Sequence, residues 1–257
     1  MRASRFVIWL LVALTVSFVI SSVSIAQGAK RFSKHPGWMY VDLKPYANAP
    51  LEGNDAWHGN AGTNDLRNLP RGEIEAEGPD GKKVPFYIIE PKDPQKDPVC
   101  MMGKGQNGGG PGYPDKIEGI KVGVACEEIY FLQASGWENP GNVTFSFVMH
   151  YADGKKEKLD FIGHLNTDDW WHFGAALGDK DNAVWGIGPL KNPNTANIGF
   201  VNTRWKNPRP GVVIKSLDFI SPGDSGAVPG VIGITLGGAR PVQPTGKLTT
   251  TWGSIKN

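Results

Sequence analysis

The feature that most restricts the fold of this chain is an alternation nine residues long. Val143, Phe145, Phe147, Met149 and Tyr151 are interleaved with Thr144, Ser146, Val148 and His150. A side-chain period of two is that of a β-strand. Here one face carries large apolar groups and the other is mostly polar, as in an antiparallel sheet packed on one side against a core. Ala152-Asp153-Gly154-Lys155 follows at once, and Asp-Gly readily supplies the positive φ angles of a tight hairpin. The return strand is predicted over 158–162.

Shorter apolar or alternating runs repeat this plan at 38–43, 84–89, 99–102, 120–124, 129–132, 183–187, 198–201, 212–220 and 231–236, most of them separated by Gly, Pro, Asn or Asp. No amphipathic helix competes with them. The 34 Gly and 20 Pro among 257 residues agree with a turn-rich chain, and 40% hydrophobic against 20% charged residues suffices for a core and excludes wholesale disorder. The expectation is an all-β, antiparallel single domain, a sandwich or barrel. Lys215 and Asp218 interrupt the alternation of 212–220, which predicts a bulge or an edge there. The six glycines of 103–114 predict a mobile excursion within one domain.

Residues 1–26 read as a secretory leader: Arg2 and Arg5, an apolar run from Phe6 to Ile20, then Ser24 and Ala26 around Ile25, with cleavage after Ala26. The run of about 15 residues is short of the ~20 that span a bilayer, and no Cys near Ala26 offers a lipid attachment point. The expected product is secreted or periplasmic, without a stable membrane anchor. It comprises a lead-in over 27–37, the β domain over 38–239 and a tail over 240–257. Losing Arg2 and Arg5 brings the formal +2 to near zero, which removes the electrostatic basis for nucleic-acid binding. In an oxidising compartment Cys100 and Cys126 either form a disulfide worth about 3 kcal/mol or remain two buried thiols.

Several stretches, in this order, resemble a family of exported, galactose-binding-like jelly-roll β-sandwich domains of environmental bacteria. They are Tyr40-Val-Asp-Leu-Lys-Pro-Tyr-Ala-Asn48, Val84-Pro-Phe-Tyr-Ile-Ile-Glu-Pro91, Ile129-Tyr-Phe-Leu132, Tyr151-Ala-Asp-Gly154, Asp169-Trp-Trp171, Trp205-Lys-Asn-Pro208 and Ser216-Leu-Asp-Phe219. The resemblance implies a jelly-roll sandwich serving as a non-catalytic module that binds carbohydrate or a cell-surface glycan, in some members with a structural calcium ion.

The densest cluster of polar and aromatic residues is His164-Leu-Asn-Thr-Asp-Asp-Trp-Trp-His172. On an extended backbone Trp170 and Trp171 point to opposite sides, so one indole can be core while the other stacks on a sugar ring. Asn166, Asp168 and Asp169 would then bond its hydroxyls. Trp137 and Trp57, in turn-rich surroundings, are further rim candidates; the plainer reading buries all four rings. His164, His172, Asp168 and Asp169 offer metal donors but match no compact zinc signature. The expectation is no cofactor; if a metal is held, calcium, bound by loop carbonyls and a carboxylate such as Asp42, is favoured over a transition metal. Gly223-Asp-Ser-Gly226 is similar to a serine-protease nucleophile segment but lacks its second Gly and its His setting, and it reads as a surface turn. The resulting expectation is non-catalytic glycan binding. A structural or adhesive protein-interaction module with every indole buried is the alternative, and a glycoside or ester hydrolase is a third reading.

Overall fold

The computed structural model describes residues 31–53, 56–57, 65–191, 197–223 and 226–240. The expected leader, residues 27–30 of the lead-in, His58, the Asp224-Ser225 pair and all of the tail beyond Arg240 lie outside these residues. Thirteen strands follow in order: β1 (Arg31–Phe32), β2 (Trp38–Tyr40), β3 (Gly72–Glu77), β4 (Lys83–Ile88), β5 (Met101–Met102), β6 (Lys116–Val124), β7 (Glu128–Gly136), β8 (Val143–Tyr151), β9 (Lys156–Ile162), β10 (Ala183–Leu190), β11 (Ile198–Lys206), β12 (Ile214–Ile220) and β13 (Val228–Gly237). They form three antiparallel sheets. The largest runs β1-β2-β13-β7-β11-β10, with β5 also pairing β13; the second runs β6-β12-β8-β9; the third is the β3-β4 hairpin. The chain is essentially all-β, as its periodicity requires.

The alternating strand occupies residues 143–151 as predicted, pairs with β9, and has Phe145, Phe147, Met149 and Tyr151 buried. These rings join two sheets. Phe131 of β7 lies 4.6 Å from Phe147 and 5.4 Å from Phe161 of β9 between ring centroids. Phe145 stacks on Phe161 at 4.1 Å and packs against Phe219 of β12. Such aromatic pairs add directional attraction to the burial of their area. The other face of the large sheet is covered by the β3-β4 hairpin, where the Thr235 hydroxyl donates to the Pro85 carbonyl at 2.7 Å. Covered on both faces, β13 is buried over all ten residues. Its sequence is accordingly a continuous apolar run and not an alternation.

β3, Gly-Glu-Ile-Glu-Ala-Glu, escapes the sequence reading because three glutamates mask its period. Only one side of it faces the core, with Ala76 buried, and full pairing with β4 supplies the rest. β12 is irregular where expected, with register shifts between Ile214 and Ser216 and between Leu217 and Phe219. It is nonetheless interior, between β6 and β8, so the expectation of an edge is corrected.

The glycine-rich segment is also not an excursion. It is tied down by Gly103 N–H to Pro229 O and Lys104 N–H to Pro114 O, both 2.9 Å, and a Cβ at Gly105 would collide with the Ala227 carbonyl. The glycines there permit close packing. Cys100 and Cys126 are separate buried thiols and not a disulfide; the Cys100 thiol donates to the Ala49 carbonyl at 3.3 Å, and burial pushes both thiols upward in pKa.

The Phe cluster bridges the two larger sheets. Phe147→Ala is expected to cost about 3–5 kcal/mol. A urea titration should show the midpoint falling at an unchanged slope; a shift near zero would mean that the cluster does not hold the sheets together.

Candidate metal centre

The site is assembled from two loops that leave different sheets. β7 ends at Gly136, and Trp137 and Glu138 open its connection to β8. β9 ends at Ile162 and leads into 163–172. This second loop is hydrogen-bonded like a short strand at the ends of β7 and β11. Ser135 N–H donates to Asp168 O at 3.0 Å, Trp170 N–H to Ser135 O at 2.9 Å and Gly199 N–H to Trp170 O at 2.8 Å. A buried polar network fastens it further. Thr167 Oγ1 donates to Gln133 Oε1 at 2.7 Å, and Gln133 Nε2 donates to both the Asn166 carbonyl and Thr203 Oγ1 at 3.1 Å. Asn166, expected to touch a ligand, instead braces the turn: its Oδ1 accepts Ile162 N–H at 2.7 Å and its Nδ2 donates to Asp160 O at 3.0 Å.

These loops bring Glu138, His164, Asp168 and His172 together, each with a donor atom within 4.8 Å of all the others. Glu138 Oε1 is 3.2 Å from His164 Nε2 and 3.9 Å from His172 Nδ1; Asp168 Oδ1 is 3.1 Å from His172 Nδ1 and 3.8 Å from His164 Nε2. Four donors placed ~2.1 Å from one centre at tetrahedral angles lie ~3.4 Å apart, so these separations fit a single ion. The carboxylates form the floor, with side chains 1% and 0% exposed, while the imidazoles, 43% and 53% exposed, form the mouth.

Two oxygens on that floor, Glu138 Oε1 and Asp168 Oδ2, are buried and receive no hydrogen bond from the described residues. Polar atoms in that position are costly unless something binds them. Backbone strain collects here as well. Among the described residues, the non-glycine residues with positive φ are Trp137 at 55° and His164 at 61°. Left-handed backbone at bulky residues persists where its surroundings hold it, typically at functional sites.

The electrostatics follow from burial. Loss of water, then the nearby Asp169 and Asp168 carboxylates, push Glu138 from its ordinary 4.5 up to about 7. Burial also raises Asp169, although the N–H groups of Trp171 and Trp137 oppose the shift. For His172, burial lowers the pKa, but the Asp168 hydrogen bond and the charges of Asp169, Asp168 and Glu138 prevail and raise it.

No family model, curated protein or solved structure matches this chain. What holds of the resemblance is the all-β antiparallel architecture. The expected non-catalytic module is overturned by the cluster itself: two imidazoles and two buried carboxylates converging on one point are the equipment of a catalytic centre. Calcium is corrected for the same reason, because it prefers oxygen donors only and imidazole suits transition metals. Asp42 is not in the cluster; its Oδ1 accepts the N–H of Lys44 at 3.1 Å.

The predicted aromatic residues divide into two pairs. Trp170 and Trp57 are buried edge to face, 5.9 Å apart, and the Trp57 ring lies where a Cβ on Gly230 would be. Trp137 and Trp171 are exposed, at 40% and 38%. Their exposure removes the premise of the adhesive alternative, that every indole is buried. Of the donors named from sequence, His164, Asp168 and His172 are in the cluster. Asp169 is not, because its two oxygens accept backbone N–H groups, from Trp137 at 2.7 Å and Trp171 at 3.0 Å. Glu138 was the missing member, 26 residues before His164, with no local motif to mark it.

Glu138, Asp169 and His172 all have raised pKa values, so the metal-free protein holds these protons more tightly than the unfolded chain. Each contribution is complete below the group's ordinary pKa: that of Glu138 is lost as pH rises from about 4.5 toward 7, and that of His172 only as pH rises above about 6.5. The metal-free melting temperature should therefore fall between pH 5 and about 7.5, and less steeply in Glu138→Gln. Metal uptake needs the deprotonated ligands, so the gain from added Zn²⁺ should grow over the same interval. A wild-type profile that is flat or rises across it would contradict this electrostatic account.

Proposed function

We propose that this protein is a metal-dependent hydrolase in which Glu138, His164, Asp168 and His172 hold one divalent transition-metal ion. The observation that carries the reading is that Glu138, His164, Asp168 and His172 each place a donor atom within 4.8 Å of the others, on a floor where Glu138 Oε1 and Asp168 Oδ2 are buried without hydrogen bonds from the described residues. With coordination positions beyond these four donors, an ion held here would supply Lewis acidity toward an acyl oxygen and the attacking water. The chain's own groups set up the rest. Ser135 Oγ donates to Glu138 Oε2 at 3.2 Å and directs Oε1 toward the histidines. His172 Nδ1 and Asp168 Oδ1 lie 3.1 Å apart in the metal-free protein, and a proton between them would leave as both atoms turn to the ion; the exposed imidazole edges leave the mouth open to a substrate.

The proposed substrates are acyl esters of neutral sugars. Three carboxylates, two neutral imidazoles and a dication leave the pocket with a formal charge near −1, which disfavours phosphate and carboxylate substrates. The exposed indoles of Trp137 and Trp171 offer flat apolar faces for a sugar ring. Ester cleavage is preferred to glycoside cleavage because Glu138 and Asp168 are taken up as ligands of the proposed ion and are not free to act as a general acid and nucleophile. The contact between the two larger sheets through the Phe cluster supports reading them as the layers of a jelly-roll sandwich. The leader-like composition of residues 1–26 supports export to the periplasm or beyond.

The test is to strip the purified protein with a chelator, reload it with Zn²⁺, Mn²⁺ or Co²⁺, and assay acetylated sugars. About one ion per chain should bind, with activity lost on chelation and restored on reloading. His164→Ala and His172→Ala should each weaken binding by on the order of 100-fold or more. Ester cleavage at the same rate in stripped and loaded protein, or failure of all three ions to bind, would refute the reading.

A further inference from the structure

The residue that decides how the two ligand-bearing loops meet is not itself a ligand. Asp169 Oδ2 accepts the N–H of Trp137, and Asp169 Oδ1 accepts the N–H of Trp171. Each of these amides belongs to the residue immediately before a ligand, Glu138 in one case and His172 in the other. Asp169 also closes the turn that carries His172, whose N–H donates to the Asp169 carbonyl at 2.8 Å. We propose that Asp169 is a positioning residue for the metal centre, a latch that sets Glu138 and His172 at ligand distance by holding the backbone on both sides with one carboxylate. The proposal rests on the metal-dependent reading above and adds to it a cause for the convergence of the donors.

Three observations favour this role over that of an ordinary loop brace. The two oxygens are divided one to each loop, so the carboxylate bridges segments 32 residues apart in the chain. A hydrogen bond from a backbone amide to an ionised carboxylate is stronger than a neutral one, and each oxygen of the group accepts one. Finally, Trp137 has φ of 55°, an arrangement that a bulky side chain resists and that its amide bond to Asp169 helps to hold. Released from that bond, Trp137 has reason to relax toward ordinary φ, and Glu138, the next residue, moves with it.

Asparagine tests the latch because it keeps the shape but offers one acceptor oxygen in place of two, setting an NH₂ against the other amide. Metal affinity measured by Zn²⁺ titration should fall by about 10–100-fold in Asp169→Asn, the range seen when groups supporting metal ligands are lost. The visible absorption of the Co²⁺-loaded protein should change shape, as the coordination geometry alters. The metal-free melting temperature should move far less than the loss of affinity implies.

If Asp169→Asn does not fold, the same titration is made on Asp169→Glu, which retains both oxygens one methylene further out and should also bind more weakly. Wild-type binding together with a variant affinity within twofold and an unchanged Co²⁺ spectrum would overturn the latch alone. Failure of the wild type to bind Zn²⁺, Mn²⁺ or Co²⁺ would remove the metal centre and the latch together.

Discussion

Two carboxylates buried side by side form the arrangement on which this structure turns. Removing an ionised carboxylate from water costs several kcal/mol unless a counter-charge or hydrogen bonds replace the solvent, and a second carboxylate nearby adds repulsion. Glu138 and Asp168 receive only part of that compensation from the chain. Ser135 donates to one Glu138 oxygen, and His172 and the Asp169 amide donate to one Asp168 oxygen. Glu138 Oε1 and Asp168 Oδ2 remain buried without a hydrogen bond from the described residues. A cation held as proposed would make good that deficit, at a point to which the left-handed backbone at Trp137 and His164 helps to bring the donors.

The location of the site follows from how the sheets are stacked. Glu138 follows a strand of the seven-stranded sheet, whereas His164, Asp168 and His172 follow the edge strand of the four-stranded sheet. Their meeting therefore requires the two sheets to pack together, as Phe131 does against Phe147 and Phe161. The Gln133, Thr167 and Thr203 network then seats the second loop against the first sheet. Fully satisfied buried networks of this kind favour a single arrangement, which a metal site requires of its ligands.

Much of the strand framework was legible because strand formation is announced over a few neighbouring residues. The run ending in Tyr151 and its Asp-Gly turn place β8 and β9 without reference to the rest of the chain. β3 was missed because glutamates occupy its outward positions and its period is carried by little more than Ile74 and Ala76. The aromatic residues were harder. Trp57 sits among polar loop residues yet is buried over Gly230, while Trp171, next to buried Trp170, is exposed. Nothing in the immediate sequence separates those two outcomes, since each depends on what another part of the chain places above the ring.

The candidate site shows the same division. His164, Asp168 and His172 recur at intervals of four and could be noticed as donors in the sequence, and adjacent Asp169 was an equally reasonable member. Backbone amides claimed Asp169, and Glu138 took its place from across the gap between sheets. The amino-acid sequence by itself determined the β class and the principal hairpin, because periodicity and turn chemistry are local properties, and it offered His164, Asp168 and His172 as donors without separating them from Asp169. Only the tertiary structure decided the fourth donor, the solvent exposure of the indoles and the supporting role of Asp169. Those depend on distances between residues remote in the chain, which exist only once the sheets have packed and excluded water.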